Sequence, residues 1–365
     1  MDRAVLDLAT ELDDTRAATL ALVEGLDDDV VHRPLDPIMS PLVWDLAHIA
    51  AYEDLWAVHR LGGRPLLHEQ LAATYDAFET PRAVRGDIEL LDRKRALAYM
   101  TDVRNRTLSV LDDVGPNELH ELVIRHELQH SETMRQALFL GGLPGGSPST
   151  GAHLAREPEW LEIPGGEFEM GAPAGGFAYD NERPRHRVTH EAFAIQRTPV
   201  SNATFLSFAE GGGYEYRPWW SEEGWSWKQC YDITHPLGWQ DGAPSDLDAP
   251  VQHVSWFEAD ALARSQGARL PTEIEWERAA TWDQETGLEG RGAVWEWTAS
   301  EFDGYPGFVA HPYREYSEVF FRKGYLVLRG GSWAASPRVA TVYFRNWDLP
   351  ERRQIFSGVR LAREV

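Results

Sequence analysis

His126-Glu127-Leu128-Gln129-His130 sits inside a stretch that runs from Asn117 through Leu122, Met134 and Leu138 to Gly141-Gly142. The apolar residues fall near helical period, an Asn stands at the start, and a Gly pair stops it, so this stretch predicts one long helix. Residues four apart on a helix share a face, with Cβ atoms about 5–6 Å apart. His126 and His130 can therefore reach one ion, and imidazole suits zinc, copper, iron or nickel. The alternative is an ordinary pair of polar helix residues.

Working outward, three more helices are expected upstream. Leu6, Leu8, Leu12, Ala17, Leu20, Leu22 and Val23 give the first stripe. Ser40-Pro41 is expected to cap a second helix, with Pro at its first position, through Trp44, Leu46, Ala47, Ile49, Ala50 and Leu55. A third runs from about Leu90 to Val114, before Gly115-Pro116. Residues 1–140 thus predict a four-helix bundle. Residues 141–158 are rich in Gly, Pro, Ser and Thr and predict a linker. From 159 to 365 the texture changes to short strand-like pieces such as Phe168-Glu169-Met170 and His186-Arg187-Val188-Thr189. Two short helices are expected there, near Ser201 and Ser255, in an α+β domain held by aromatic packing. Of 15 tryptophans, all but Trp44 and Trp56 lie beyond residue 155.

Bulk composition narrows the function. The 365 residues carry a formal net charge of −23, which disfavours nucleic acid and anionic membrane surfaces as partners. Cys230 is the one cysteine, so a thiolate metal site and an intrachain disulfide are excluded. The first residues, Met1-Asp2-Arg3-Ala4-Val5-Leu6-Asp7, do not read as a signal peptide, and no apolar run approaches a membrane span. A cytoplasmic location is expected.

The histidine pair is also literally H-E-x-x-H, the zinc-peptidase signature with Glu127 as general base. That reading needs a third ligand. No histidine follows shortly downstream, and Glu157 and Glu159 lie beyond the Gly-rich stretch. His48, on the second predicted helix, is the better third ligand, because facing helices of a bundle converge on a shared interior point. Three imidazoles leave an ion with open positions, which catalysis needs.

The strings Ser40-Pro41-Leu42-Val43-Trp44-Asp45-Leu46-Ala47-His48 and His126 to Met134 resemble the DinB-like helical domain of ergothioneine-type sulfoxide synthases. The second half resembles their formylglycine-generating-enzyme-like domain, a variant of the C-type lectin fold. Asp180-Asn181-Glu182-Arg183-Pro184, Arg269 to Glu277, Val294-Trp295-Glu296-Trp297-Thr298, Leu328 to Trp333, Asn346-Trp347-Asp348 and Arg352 to Leu361 carry that resemblance. It implies Fe(II) held by His48, His126 and His130, with O2 as co-substrate. It implies coupling of a cysteine-derived thiol to imidazole C2 of hercynine (trimethylhistidine), with oxidation of the sulfur to a sulfoxide. Gln129, Asn346 and Trp347 would hold hercynine. Arg82 and Arg85 would bind carboxylates of γ-glutamylcysteine, with Asp348 on its amine and Arg352 nearby. Tyr313 would supply a proton, and Tyr316 would stand close to the substrate. Cysteine, glutathione or a selenosugar are alternative donors. A zinc hydrolase and a DinB-like thiol transferase are the competing classes. The stretch Thr281 to Gly292 is shorter than relatives usually carry, and a true formylglycine-generating enzyme would need cysteines absent here.

Overall fold

In the computed structural model, described for residues 3–148, 159–282 and 287–365, the chain divides into two units, Met1–Pro148 and Ser149–Val365. Residues 149–158 of the expected linker and 283–286 of the shortened stretch lie outside the described residues.

The first unit is helical. Its long elements are α1 (Arg3–Ala21), α3 (Leu42–Glu53), α5 (Arg93–Val114) and α6 (Glu118–Leu140), with short α2 (Asp28–His32) and α4 (Glu69–Thr74) between them. The expected four-helix bundle is therefore present: α3 packs on α5 and α6, and α1 packs on α6 and α5. Local chemistry sets the ends. Asp92 caps α5 by accepting from Arg95 N at 2.8 Å, and Asn117 caps α6 by accepting from Leu119 N at 2.9 Å. Gly115 ends α5 at φ 76°, a left-handed value that favours glycine.

One cap differs by a residue from its expected place. Pro41 has an extended ψ of 141° and its carbonyl accepts from Asp45 N, so Pro41 is the cap and the helix starts at Leu42. Ser40 instead uses its hydroxyl to accept from Arg85 Nη1 at 3.0 Å. Every residue of α3 except Tyr52 is buried, which makes it the central helix of the unit. It continues as a π-helical segment, Asp54–Leu61. Around α3 the core gathers Val31, Met39, Tyr75, Ala96, Met100, Val103, Met134 and Leu138. Residues 141–146, expected in the linker, fold back on the end of α6. Leu143 N donates to Leu138 O at 2.9 Å, and a Cβ on Gly146 would collide with the backbone of Phe139.

The second unit is α+β. Strands β1 (Trp160–Ile163), β4 (Phe193–Gln196) and β9 (Ala362–Glu364) form an antiparallel sheet in the order β1-β4-β9. Strands β2 (Gly166–Met170) and β3 (His186–His190) pair with Phe168 opposite Val188, so the two expected strand pieces meet. A third sheet has the order β7 (Asn346–Asp348), β6 (Leu326–Arg329), β5 (Trp295–Glu301), β8 (Ser357–Gly358), with only β5 and β8 parallel.

The two expected helices are α7 (Asn202–Glu210), capped by Ser201, and α9 (Trp256–Ser265), with a full capping box between Ser255 and Glu258. Two further helices, α8 (Glu222–Cys230) and α10 (Glu273–Trp282), escape a reading of apolar periodicity. Only Gly224 of α8 is buried, so it has no stripe. The buried face of α10 includes Glu273 and Glu277, whose charges are met by Arg345 and Arg329. Indoles of Trp220, Trp276 and Trp297 are buried and donate to Gly213 O, Glu296 Oε2 and Val254 O at 2.8, 2.6 and 2.9 Å. The expected aromatic core is therefore hydrogen-bonded as well as packed. Among the described residues, no helix is long and apolar enough to cross a membrane.

Candidate metal centre

His48 projects from the middle of the buried helix α3, and His126 and His130 from one face of α6. One ring nitrogen of each can be chosen so that all lie within 4.8 Å of one another, and no other group of three or more such donors occurs among the described residues. His48 is buried and the other two are half-buried. His48 Nε2 and His126 Nε2 stand 3.1 Å apart. Two imidazoles bound to one ion at about 2.0–2.1 Å, at right-angled to tetrahedral spacing, would have nitrogens roughly 3 Å apart. The donor set therefore fits a divalent transition metal.

The surroundings orient two of these rings. His48 Nδ1 donates to the Tyr75 carbonyl at 2.5 Å, leaving the Nε2 lone pair for the cluster. His130 Nδ1 contacts Asp45 Oδ1 at 3.0 Å, the carboxylate–histidine pairing that accompanies metal sites. His126 is held differently. Its ring stacks on Tyr52 at 3.6 Å between centroids, and its buried Nδ1 has no hydrogen-bond partner among the described residues. Burial, followed by the neighbouring His130, holds both His48 and His126 well below the usual imidazole range. Both are neutral at neutral pH, the state a ligand needs.

Glu127 points elsewhere. One residue after His126 on a helix, it is turned about 100° from the histidine face. It is buried, with Oε1 2.7 Å from Arg16 Nε and Oε2 3.0 Å from Arg104 Nη2. A carboxylate spent on two guanidinium groups cannot serve as the base of a peptidase, so the H-E-x-x-H spelling does not carry its hydrolytic meaning here.

Other expected residues of this unit have mixed placements. Gln129 is half-buried on α6 between the two histidines. Arg82 is exposed and donates to Ile38 O at 3.2 Å. Arg85 is buried and donates to Thr80 O, Ser40 Oγ and Ala77 O. Its guanidinium lies 3.5 Å over the ring of Trp44, which itself stacks on His48 at 4.6 Å. Burial, and then the adjacent Arg82, lowers Arg85 to about 10. Arg85 thus pins its own loop and helps wall the cluster. Sequence reasoning assigns no role to Asp45, Tyr52 or the Tyr75 carbonyl. Asp45 stands three residues before His48, but its partner His130 is distant in the chain.

In the second unit, Tyr313, Tyr316 and Trp347 join one aromatic group. Tyr316 stacks on Tyr179 at 4.4 Å and meets Tyr313 and Trp347 edge-on at 6.2 and 5.8 Å. Trp347 lies flat on Phe302 at 4.1 Å. Asp180 anchors the loop bearing both tyrosines: Ser317 Oγ donates to its Oδ1 at 2.5 Å and His311 N to its Oδ2 at 3.3 Å. Asn346, Trp347 and Asp348 make up β7. Asn346 Oδ1 accepts from Trp347 N, and Asp348 faces Arg352 Nε at 3.7 Å.

A helical bundle with a histidine cluster, joined in one chain to a loop-rich α+β unit, defines the class. The helical part matches the DinB superfamily over residues 11–141, and the rest matches the sulfatase-modifying factor enzyme 1-like domain over 147–291 and 284–365. Hercynine oxygenase from Mycobacterium tuberculosis is 41% identical, covering 98% of this chain and 99% of that protein. Hercynine oxygenase from Mycolicibacterium smegmatis is 40% identical with the same coverage. Formylglycine-generating enzyme from Streptomyces coelicolor is 34% identical, over only 37% of this chain and 49% of that protein. The chain belongs to the hercynine oxygenase family. The alignment to the first relative spans 425 positions against 365 residues here, so that relative carries segments this chain lacks.

Proposed function

We propose that this protein is a hercynine oxygenase acting as a sulfoxide synthase in ergothioneine biosynthesis, with Fe(II) held by His48, His126 and His130. The observation that carries the reading is the three-histidine cluster in a chain about 40% identical, end to end, to hercynine oxygenases. Iron(II), when held there, supplies O2 activation beside both organic substrates. In the overall change, the thiol loses S–H and hercynine loses its C2–H. One oxygen atom of O2 stays on sulfur, and the other leaves with the two hydrogens as water.

The remaining work falls to the chain itself. Asp45 and the Tyr75 carbonyl fix the rings of His130 and His48, so the cluster is preorganised. Gln129 and Asn346 offer amide dipoles to hercynine, and Trp347 offers an aromatic face to its trimethylammonium group. Exposed Arg82 offers its guanidinium to the carboxylates of γ-glutamylcysteine, and Arg85, whose nitrogens already hold its own loop, adds positive charge. Asp348 receives its ammonium, with Arg352 beside Asp348. Tyr313 holds and delivers a proton at its phenolic oxygen. The cytoplasm, where a lone cysteine stays reduced, is the assigned compartment.

Aerobic incubation with Fe(II), hercynine and γ-glutamylcysteine is the test. A sulfoxide adduct by mass spectrometry is expected, with O2 consumed in equal amount. The absence of an adduct with γ-glutamylcysteine, cysteine, glutathione and a selenosugar alike would sink the proposal. Formation with one of the other donors would move the specificity and leave the chemistry.

A further inference from the structure

Four buried charges lie inside the helical bundle that carries the histidine cluster, and each comes from a different helix. Glu53 of α3 and Glu127 of α6 face Arg16 of α1 and Arg104 of α5. All four are buried. Arg16 bridges the two carboxylates, with Nη2 2.7 Å from Glu53 Oε2 and Nε 2.7 Å from Glu127 Oε1. Arg104 does the same, with Nε 2.8 Å from Glu53 Oε1 and Nη2 3.0 Å from Glu127 Oε2. Each arginine also donates to a helix carbonyl, Met100 O and Leu12 O. Burial would raise Glu53, but Arg104 and Arg16 override it and hold the carboxyl at about 2.

The distribution of sign is informative. Both carboxylates stand on the helices that carry the histidines, and both arginines stand on helices that carry none. Glu127 follows His126 by one residue and Glu53 follows His48 by five. Rotation of either helix that moved a histidine would also pull its carboxylate from two guanidinium groups. Buried ion networks are weak sources of stability, since apolar replacements of similar volume are often neutral or better; fixing one geometry is their better-attested use. His126 adds a reason, because its Nδ1 has no hydrogen bond to hold it while its two companions have one each.

We propose that Glu53, Arg16, Arg104 and Glu127 form a positioning network that sets the rotation of α3 and α6, and so places His126 against His48 before any metal arrives. The inference rests on reading the three histidines as a metal site.

The test uses the full-length protein and Co(II) as the probe, read by affinity and by its visible ligand-field absorption. Two variants are compared: Glu127→Gln, and the apolar Arg16→Met/Glu53→Leu/Arg104→Met/Glu127→Leu. The apolar variant is expected to melt at or above the wild-type temperature, yet to bind Co(II) about 10-fold or more weakly, as loss of outer-shell support does, and with a shifted absorption band. Glu127→Gln should show the same shift. Wild-type affinity and spectrum in folded variants would overturn the inference. Failure of both variants to fold would also overturn it, since the network would then hold up the bundle and not its register. If the wild-type protein binds no Co(II), the metal-site reading falls and this inference with it. If wild type binds and the variants match it, only this inference falls.

Discussion

Both units bury arginines against glutamates, but to different ends. In the helical unit the four charges join four helices, and each arginine spares one group for a backbone carbonyl. In the second unit, Arg345 donates to Glu273 and to the carbonyls of Asn181 and Asp303. Arg360 grips Glu296 at 2.6 and 2.7 Å and also donates to the carbonyls of Gln196, Arg197 and Glu289. Helices satisfy most of their own carbonyls, so ionic groups between them are free to set angles. Irregular segments leave carbonyls unpaired, and a buried one must find a donor. Guanidinium groups take that role in the loop-rich unit. The same residue pair therefore orients helices in one unit and replaces missing ladder bonds in the other.

The largest effect is expected at Arg360. Glu296→Gln leaves its guanidinium buried without its bidentate partner, and Trp276 Nε1 without a charged acceptor. A loss of about 3–5 kcal/mol is expected for the second unit, measured by denaturation followed through tryptophan fluorescence. A loss under about 1 kcal/mol would mean the loops hold without this tie.

Acid should come next. Burial holds His253 at about 4, against an ordinary imidazole value of 6.5. A histidine depressed in the folded state stays neutral there while the unfolded chain takes up a proton. Stability is therefore full above pH 6.5 and declines as pH falls toward 4, by about 3 kcal/mol. His253→Gln should flatten that part of the pH profile, and an unchanged slope would contradict the assignment. His120 in the helical unit is depressed in the same direction by burial, so acid should weaken both units.

Asp45→Ala removes the contact to His130 Nδ1, and a 10–100-fold loss of Co(II) affinity is expected by calorimetry. The matching cut in the second unit, Asp348→Ala, should leave Co(II) affinity unchanged while raising KM for the thiol. The smallest effect is at a helix end. Ser255→Ala deletes the capping box of α9 and should cost about 1 kcal/mol in the second unit, read from the denaturation midpoint.

Much of the helical unit is legible in the amino-acid sequence. Long helices announce themselves by period and caps, so α1, α3, α5 and α6 can be placed from Leu6, Ser40-Pro41, Leu90 and Asn117 outward. The second unit is legible mainly as texture, since its strands are short and its buried faces mix tryptophan with charge. Helix α10 shows the difficulty: Glu273 and Glu277 look solvent-facing until Arg329 and Arg345, some 50–70 residues later, are seen to meet them. The candidate site residues can be named from the strings alone, but not their surroundings. Arg85 reads as a free fork and is instead buried over Trp44.

His126 and His130 need no tertiary structure to share a face, because four residues of helix turn through little more than one revolution. The single cysteine, Cys230, likewise rules out a multi-cysteine site, and the strings around His48 and Asn346 are enough to name the family. Packing decides the rest. His48 meets His126 across 78 residues of chain, Asp45 finds His130 across 85, and Glu127 turns from apparent catalytic base into a partner of Arg16 and Arg104. The reason is range: helical geometry is settled by bonds four residues apart, whereas a charge buried between helices takes its meaning from whichever helix packs against it.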